Sequence, residues 1–247
     1  MTFRNMVAEN GLRWVAVLAG FTILAACSGS SGSSKTGSSA PASSARMAST
    51  NNDTKKKFQD CTKLLMDSLQ KPTAPYHFSY KAQENINPKF PMDKTAKPEV
   101  GPVELEGDFS PDEISLTSVR GKEKTEHKAA KTDQLAWSMT ALDTSGPILS
   151  TGMMLAFGQL VAQSSGSDSV GGVPADKYDF DTSSATGSTK AGLDIAKAML
   201  TNIQSTKGTV WIEKSTGKLV KFNIDADYAD KNSNSWKEHY EGVVTPK

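Results

Sequence analysis

Two cysteines, three histidines, numerous serines and several paired acids are the side chains of this chain that could do chemistry. Cys27 has the most specific surroundings. It follows Leu24-Ala25-Ala26 and precedes Ser28-Gly29-Ser30-Ser31-Gly32. A peptidase reading an extended chain needs small side chains such as Ala25 and Ala26 before its cut. Before that cut, a thiol held at a membrane surface can receive a lipid on sulfur. Cys61 has different company. It falls at helical spacing with Phe58, Leu64, Leu65 and Leu69, where a thiol behaves as a small inert hydrophobe. With Cys27 acylated, Cys61 has no partner, which excludes a disulfide scaffold.

Other chemistry finds little support. His77, His127 and His239 are far apart and show no H-x-H, HExxH or C-x-x-C spacing, so no metal is expected. His77 and His239 fall on the outward phase of their strands. No G-x-S-x-G elbow activates a serine. Gly171-Gly172 precedes a strand and lacks the Lys-Ser/Thr partner of a phosphate loop. Asp225 and Asp227 share a strand face that reads as solvated. The expectation is a protein with no cofactor and no enzymatic activity. One apolar group stands out: Met153, Met154, Phe157 and Leu160, with Met199 further along. Methionine is flexible and polarizable, so this stripe suits a greasy site for variable apolar chains. Plain packing of a helix on a sheet explains the same residues, and the sequence leaves both readings open.

The segment preceding Cys27 explains how its thiol would reach a membrane. Arg4 and Arg13 make a weakly basic start, interrupted by Glu9, and residues 14–24 form an apolar run. That run is shorter than the roughly 20 residues needed to span a bilayer and matches the core of a secretory signal. Together with Leu24-Ala25-Ala26-Cys27 it resembles the bacterial lipobox. Residues 1–26 are thus expected to be a lipoprotein signal peptide. Residues 27–52 would be the lipidated cysteine and a Ser/Gly-rich disordered tether. As a flexible coil it reaches about 25–30 Å. The whole chain carries 28 basic and 27 acidic residues, and loss of Arg4, Arg13 and Glu9 leaves 26 of each. This neutrality argues against a nucleic-acid partner, which calls for a basic stripe. The expected partner is the membrane, through the acyl anchor at Cys27. The expected location is the cell envelope, at the outer membrane or the outer face of the cytoplasmic membrane. Ser28 replaces the Asp that marks inner-membrane retention in some diderm bacteria, which favours the outer membrane where one exists.

Residues 53–247 are expected to form one domain, monomeric and large enough to bury about 70% of its unfolded surface. Asp53 is a good N-cap for a first helix that Pro72 ends. Tyr76, Phe78 and Tyr80 alternate with polar residues, as do Val103, Leu105 and Phe109, and Ile114 with Leu116. Residues 84–101 read as a long loop, and 120–133 as an exposed strand or hairpin. Leu135, Trp137 and Met139 suggest another strand. A helix is predicted after Pro147 through Val161, weakened by Gly152 and Gly158. A strand around 173–180 leads to a third helix, with Leu193, Ala196, Leu200 and Ile203 on one face and Ile195 and Met199 widening it. Three strands, 208–214, 219–228 and 236–244, close the chain. The order implies an α+β fold, an antiparallel sheet with helices on one side.

Two stretches carry a family resemblance. Gly172-Val173-Pro174-Ala175-Asp176-Lys177-Tyr178 is similar to a mid-chain strand of the LppX/LprG lipoproteins. Gly208-Thr209-Val210-Trp211-Ile212-Glu213-Lys214-Ser215-Thr216-Gly217-Lys218-Leu219-Val220-Lys221 resembles their hairpin. That family's fold is related to the lipoprotein carrier LolA. The resemblance implies a curved half-barrel sheet with helices covering its concave side and a lipid or acyl-chain cavity between them. The leading expectation is a membrane-anchored lipoprotein binding an apolar ligand for envelope transport or assembly. The alternative is a tethered protein–protein interaction module without a cavity.

Overall fold

The computed structural model describes residues 53–54, 56–57, 74–87, 89–90, 95–133, 140, 151–152, 154–200 and 202–247. The segments expected to be a signal peptide and a tether, Cys27, Cys61, Met153 and the predicted strand through Leu135, Trp137 and Met139 lie outside these residues. So does most of the predicted first helix, of which Asp53, Thr54, Lys56 and Lys57 are helical.

Strong alternation of apolar and polar residues builds the domain from strands. They are β1 (Tyr76–Asn85), β2 (Val100–Phe109), β3 (Glu113–Arg120), β4 (Glu123–Ala130), β5 (Gln163–Val170), β6 (Val173–Asp181), β7 (Ile203–Glu213), β8 (Leu219–Ala229) and β9 (Ser235–Pro246). All pair antiparallel in one sheet of order β4-β3-β2-β1-β9-β8-β7-β6-β5. The sheet is open and has few helices, a half-barrel-like architecture. β4 and β5 follow each other in sequence yet form opposite edges.

One face of the sheet is apolar. Tyr76, Phe78 and Tyr80 of β1 line it with Leu105 and Phe109 of β2, Ile114 and Leu116 of β3, Val210 and Ile212 of β7, Phe222 and Ile224 of β8, and Tyr240 of β9, all buried. Each such side chain contributes about 1.5–3 kcal/mol, and a one-residue slip would move a whole strand's set into water. Tyr76 stacks on Phe109 at 5.1 Å, and Phe78 meets the same ring edge-on at 6.4 Å. Residues 154–158 are helical and join this core through Met154, Leu155 and Phe157. Gly158 is where that segment approaches β6. A Cβ there would stand 2.8 Å from the Phe180 ring, and a Cβ at Gly208 would stand 3.1 Å from it. The weak helix former at 158 is thus the residue that allows the contact.

The opposite face is polar and paired across strands. Asp225 meets His239 and Lys207, Asp227 meets Ser205 and Lys237, and Asp108 meets His77 and Lys247. The outward histidines and the strand-sharing acids of β8 belong to this solvated ladder.

Several element assignments change. Of the expected alternatives for 120–133 the hairpin forms: Arg120 ends β3, Gly121 (φ of 60°) and Lys122 make the turn, and Glu123–Ala130 is β4. Of the loop expected at 84–101, Glu84 and Asn85 continue β1 and Val100 and Gly101 begin β2. β5, Gln-Ser-Ser-Gly-Ser-Asp-Ser-Val, is a strand that apolar periodicity does not reveal. Seven of its eight residues are exposed, and only its pairing with β6 defines it. The helix Gly187–Leu200 forms as expected, but Ile203 belongs to β7 and is buried there, while Ile195 is 62% exposed and lies outside the apolar stripe.

Candidate functional site

The residues nominated for an apolar ligand are only partly within view. Met154 and Phe157 are fully buried in the sheet's core, and Leu160 is partly buried against it. Met153 lies outside the described residues, as does the side chain of Met199. The three visible members come together because residues 154–160 are one stretch of chain packed against the apolar face.

A cleft of about 180 Å³ opens beside them, between residues 159–163 and 184–189. Leu160 and Ala162 form its apolar wall, and Gln159, Gln163, Ser184 and Thr189 its polar one. Its size is below the roughly 300–1,000 Å³ of pockets that enclose a whole ligand. In this conformation it has room for a small polar group or a few waters.

The second feature is a buried polar cluster that the sequence reading missed. Glu84 ends the interior row Tyr76, Phe78, Tyr80 and Ala82, and Glu238 lies between Trp236 and Tyr240 on the interior row of β9. Both carboxylates are buried. Tyr80 Oη donates to Glu84 Oε2 at 3.2 Å, and Arg120 Nη1 donates to Glu84 Oε1 at 3.3 Å. Arg120 Nη2 also donates to the Asn85 carbonyl at 2.9 Å. Glu238 Oε1 accepts from Trp236 Nε1 at 2.7 Å and from the Asn85 amide at 2.9 Å, while Tyr240 Oη donates to Glu238 Oε2. Tyr228 and Tyr240 join hydroxyls at 2.9 Å, and Trp236 is stacked on Tyr228 and edge-on to Phe90.

Glu84 faces a guanidinium, with Glu238 a second buried carboxylate nearby. Burial pushes Glu84 up to about 7, with the nearby Glu238 charge adding to it and Arg120 opposing it. Burial likewise raises the Tyr80, Tyr228 and Tyr240 phenols far above their ordinary value, so they act as neutral donors. No buried side-chain polar atom among the described residues lacks a partner. The cluster is a satisfied network joining β1, β3, β8 and β9, able to hold or release one proton near neutrality. Strand phase could have found it: two more steps along the Tyr76–Tyr80 alternation reach Glu84, and the phase of Ile114 and Leu116 reaches Arg120.

An open antiparallel half-barrel-like sheet is the class of structure these elements define. Among solved structures, the chain is similar to the lipoprotein LppX of Mycobacterium tuberculosis, at 11% identity with a TM-score of 0.33, covering 78% of this chain and 94% of that one. It is also similar to LprF of Mycobacterium bovis, at 12% identity and a TM-score of 0.33, covering 78% of this chain and 92% of that one. No family model and no curated relative matches the sequence. No described helix is long and apolar enough to cross a membrane.

Proposed function

We propose that this chain is an exported lipoprotein, anchored by acyl chains on Cys27, that takes a lipid or other apolar chain against the interior face of its sheet. It would work by burial without catalysis, each methylene contributing about 0.8 kcal/mol. The observation carrying the reading is that β4 and β5 stand at opposite edges, leaving the apolar face without strand-to-strand closure. The chain between them covers part of that face through Met154, Leu155 and Phe157. A wall held only by side-chain packing can move without breaking ladder hydrogen bonds, whereas a closed barrel cannot. On this reading the segment ending in residues 154–162 and the helix Gly187–Leu200 cover the concave side, and the cleft between residues 159–163 and 184–189 is where they part.

Native mass spectrometry of the purified chain tests this directly, with a co-purifying lipid as the expected result. A paired test replaces Met153 and Leu160 by Trp. A carrier keeps its melting temperature and loses binding of a fluorescent fatty acid. Wild type that binds no such probe, together with strongly destabilised variants, defeats the reading. One observation favours an interaction module instead: both edge strands lack an outer partner among the described residues, and β5 is exposed along nearly its whole length. Such an edge can accept a strand from another protein.

A further inference from the structure

The cleft between residues 159–163 and 184–189 joins two kinds of surface. Ala162 and Ala185 on its wall belong to the buried core, and Leu160 and Val161 pack against that core. Its other members, Gln159, Gln163, Ser184, Thr186 and Thr189, carry neutral amides and hydroxyls. A polar mouth thus meets an apolar floor that continues into the sheet's interior.

Gln159 is the informative residue. It is only 9% exposed, and its backbone amide donates to the Leu155 carbonyl. Its side-chain amide bonds no other described residue. Every fully buried side-chain polar atom among the described residues has a partner. The little exposure Gln159 retains is therefore at its amide, on the cleft that it lines. Burying such a group is unfavourable unless water or a ligand meets it.

The facing wall supplies further donors. The Lys190 amide donates to the Thr186 carbonyl at 3.2 Å, which starts the hydrogen-bond ladder of the helix Gly187–Leu200. The amides of Ser188 and Thr189 precede it, with no carbonyl of their own helix to meet. Thr186 and Thr189 bring this end to the cleft. Amides gathered at a helix start favour an anionic oxygen, and neither the cleft lining nor the helix's first turn holds an acid. Asp181 is the acid just before the cleft, and the Ser183 amide and hydroxyl both donate to its carboxylate.

We propose that this cleft holds the carboxylate of a fatty acid whose chain runs onto the apolar face. Gln159 Nε2 and the first amides of the helix donate to the carboxylate, while Leu160 and Val161 meet the first methylenes. A space of about 180 Å³ admits that small group and leaves the chain to the sheet. The site rests on the carrier reading for the chain and adds the chemistry of the polar end.

A fluorescent fatty acid, parinaric acid, and its methyl ester test this by titration at pH 8. The protein is the full chain carrying Cys27→Ala, which keeps acyl anchors out of the assay. The acid is expected to bind about tenfold more tightly than the ester, as one hydrogen bond to a charged group provides. Gln159→Leu should bring the ratio of acid to ester affinity down about tenfold, and should melt no lower than wild type because it removes an unpartnered amide. Thr189→Glu sets a carboxylate at the helix start, where the dipole favours it, and should lower the same ratio by repulsion. Acetate, the same group without a chain, should not displace the acid at equal concentration. Equal binding of acid and ester, an unchanged ratio in either variant, or displacement by acetate overturns the carboxylate site and leaves the carrier reading standing. Wild type that binds neither probe defeats the carrier reading and the site with it.

Discussion

Asp225 on the outer face and Glu84 on the interior face are both strand carboxylates beside cations, and their surroundings give them opposite properties. Asp225 is half exposed, 2.8 Å from His239 Nδ1 and 3.9 Å from Lys207 Nζ. Water and salt screen that arrangement, and other polar side chains could replace it. The Glu84 side chain is 11% exposed, meets one guanidinium and stands near a second buried carboxylate, Glu238. Little solvent screens it, so its charge is conditional on a proton. Along one sheet, charge is interchangeable outside and specified inside.

Removing the interior cation should have the largest effect. Arg120→Met leaves Glu84 without its guanidinium and is expected to cost about 3 kcal/mol at pH 8, the low end for a broken buried pair because Arg120 is half exposed. The loss should shrink at pH 5, where Glu84 holds a proton. Urea unfolding at the two pH values checks it, and equal losses would break the contrast between faces.

Next comes pH itself. Glu84 binds its proton more tightly folded, near 7, than unfolded, near 4.5. Its contribution is most favourable below about 4.5, declines as pH rises towards 7 and then levels. The decline should amount to about 3 kcal/mol. Glu84→Gln should flatten that part of the stability profile, as measured by denaturant titration across pH.

Packing on the interior face gives a smaller effect. Gly158→Ala puts a methyl group into the Phe180 ring and should lower stability by about 1–3 kcal/mol. At Gly152 the added Cβ meets no described atom within 4 Å, so Gly152→Ala should raise stability by about 0.5–1 kcal/mol through helix propensity. Thermal melts of the two variants should move in opposite directions.

The smallest effect belongs to the outer ladder. Asp225→Asn should change stability by less than about 1 kcal/mol, and less still at high salt. A loss comparable to that of Arg120→Met would show that the outer face is as tightly specified as the interior.

The sequence by itself determined the strands that bury one face. Alternation in Tyr76–Tyr80, Val103–Phe109 and Phe222–Ala226 marks the interior row residue by residue, because period-two burial is a local property of the chain. It also determined the turn of the Gly208–Lys221 hairpin and the helix Gly187–Leu200. Tertiary structure decided the rest. β5 buries almost nothing, so its strand identity comes only from the backbone hydrogen bonds that β6 offers. Ile203 is apolar in either assignment, and only pairing with Tyr228 places it in β7. The seam between β1 and β9 joins residues some 160 positions apart, such as Ala82 and Tyr240. That same seam brings Glu238 near Glu84, and the pairing of β3 through β2 brings Arg120 to Glu84 from the other side. Local pattern shows that a side chain points inward; which charge it finds there depends on strands that meet only when the sheet assembles.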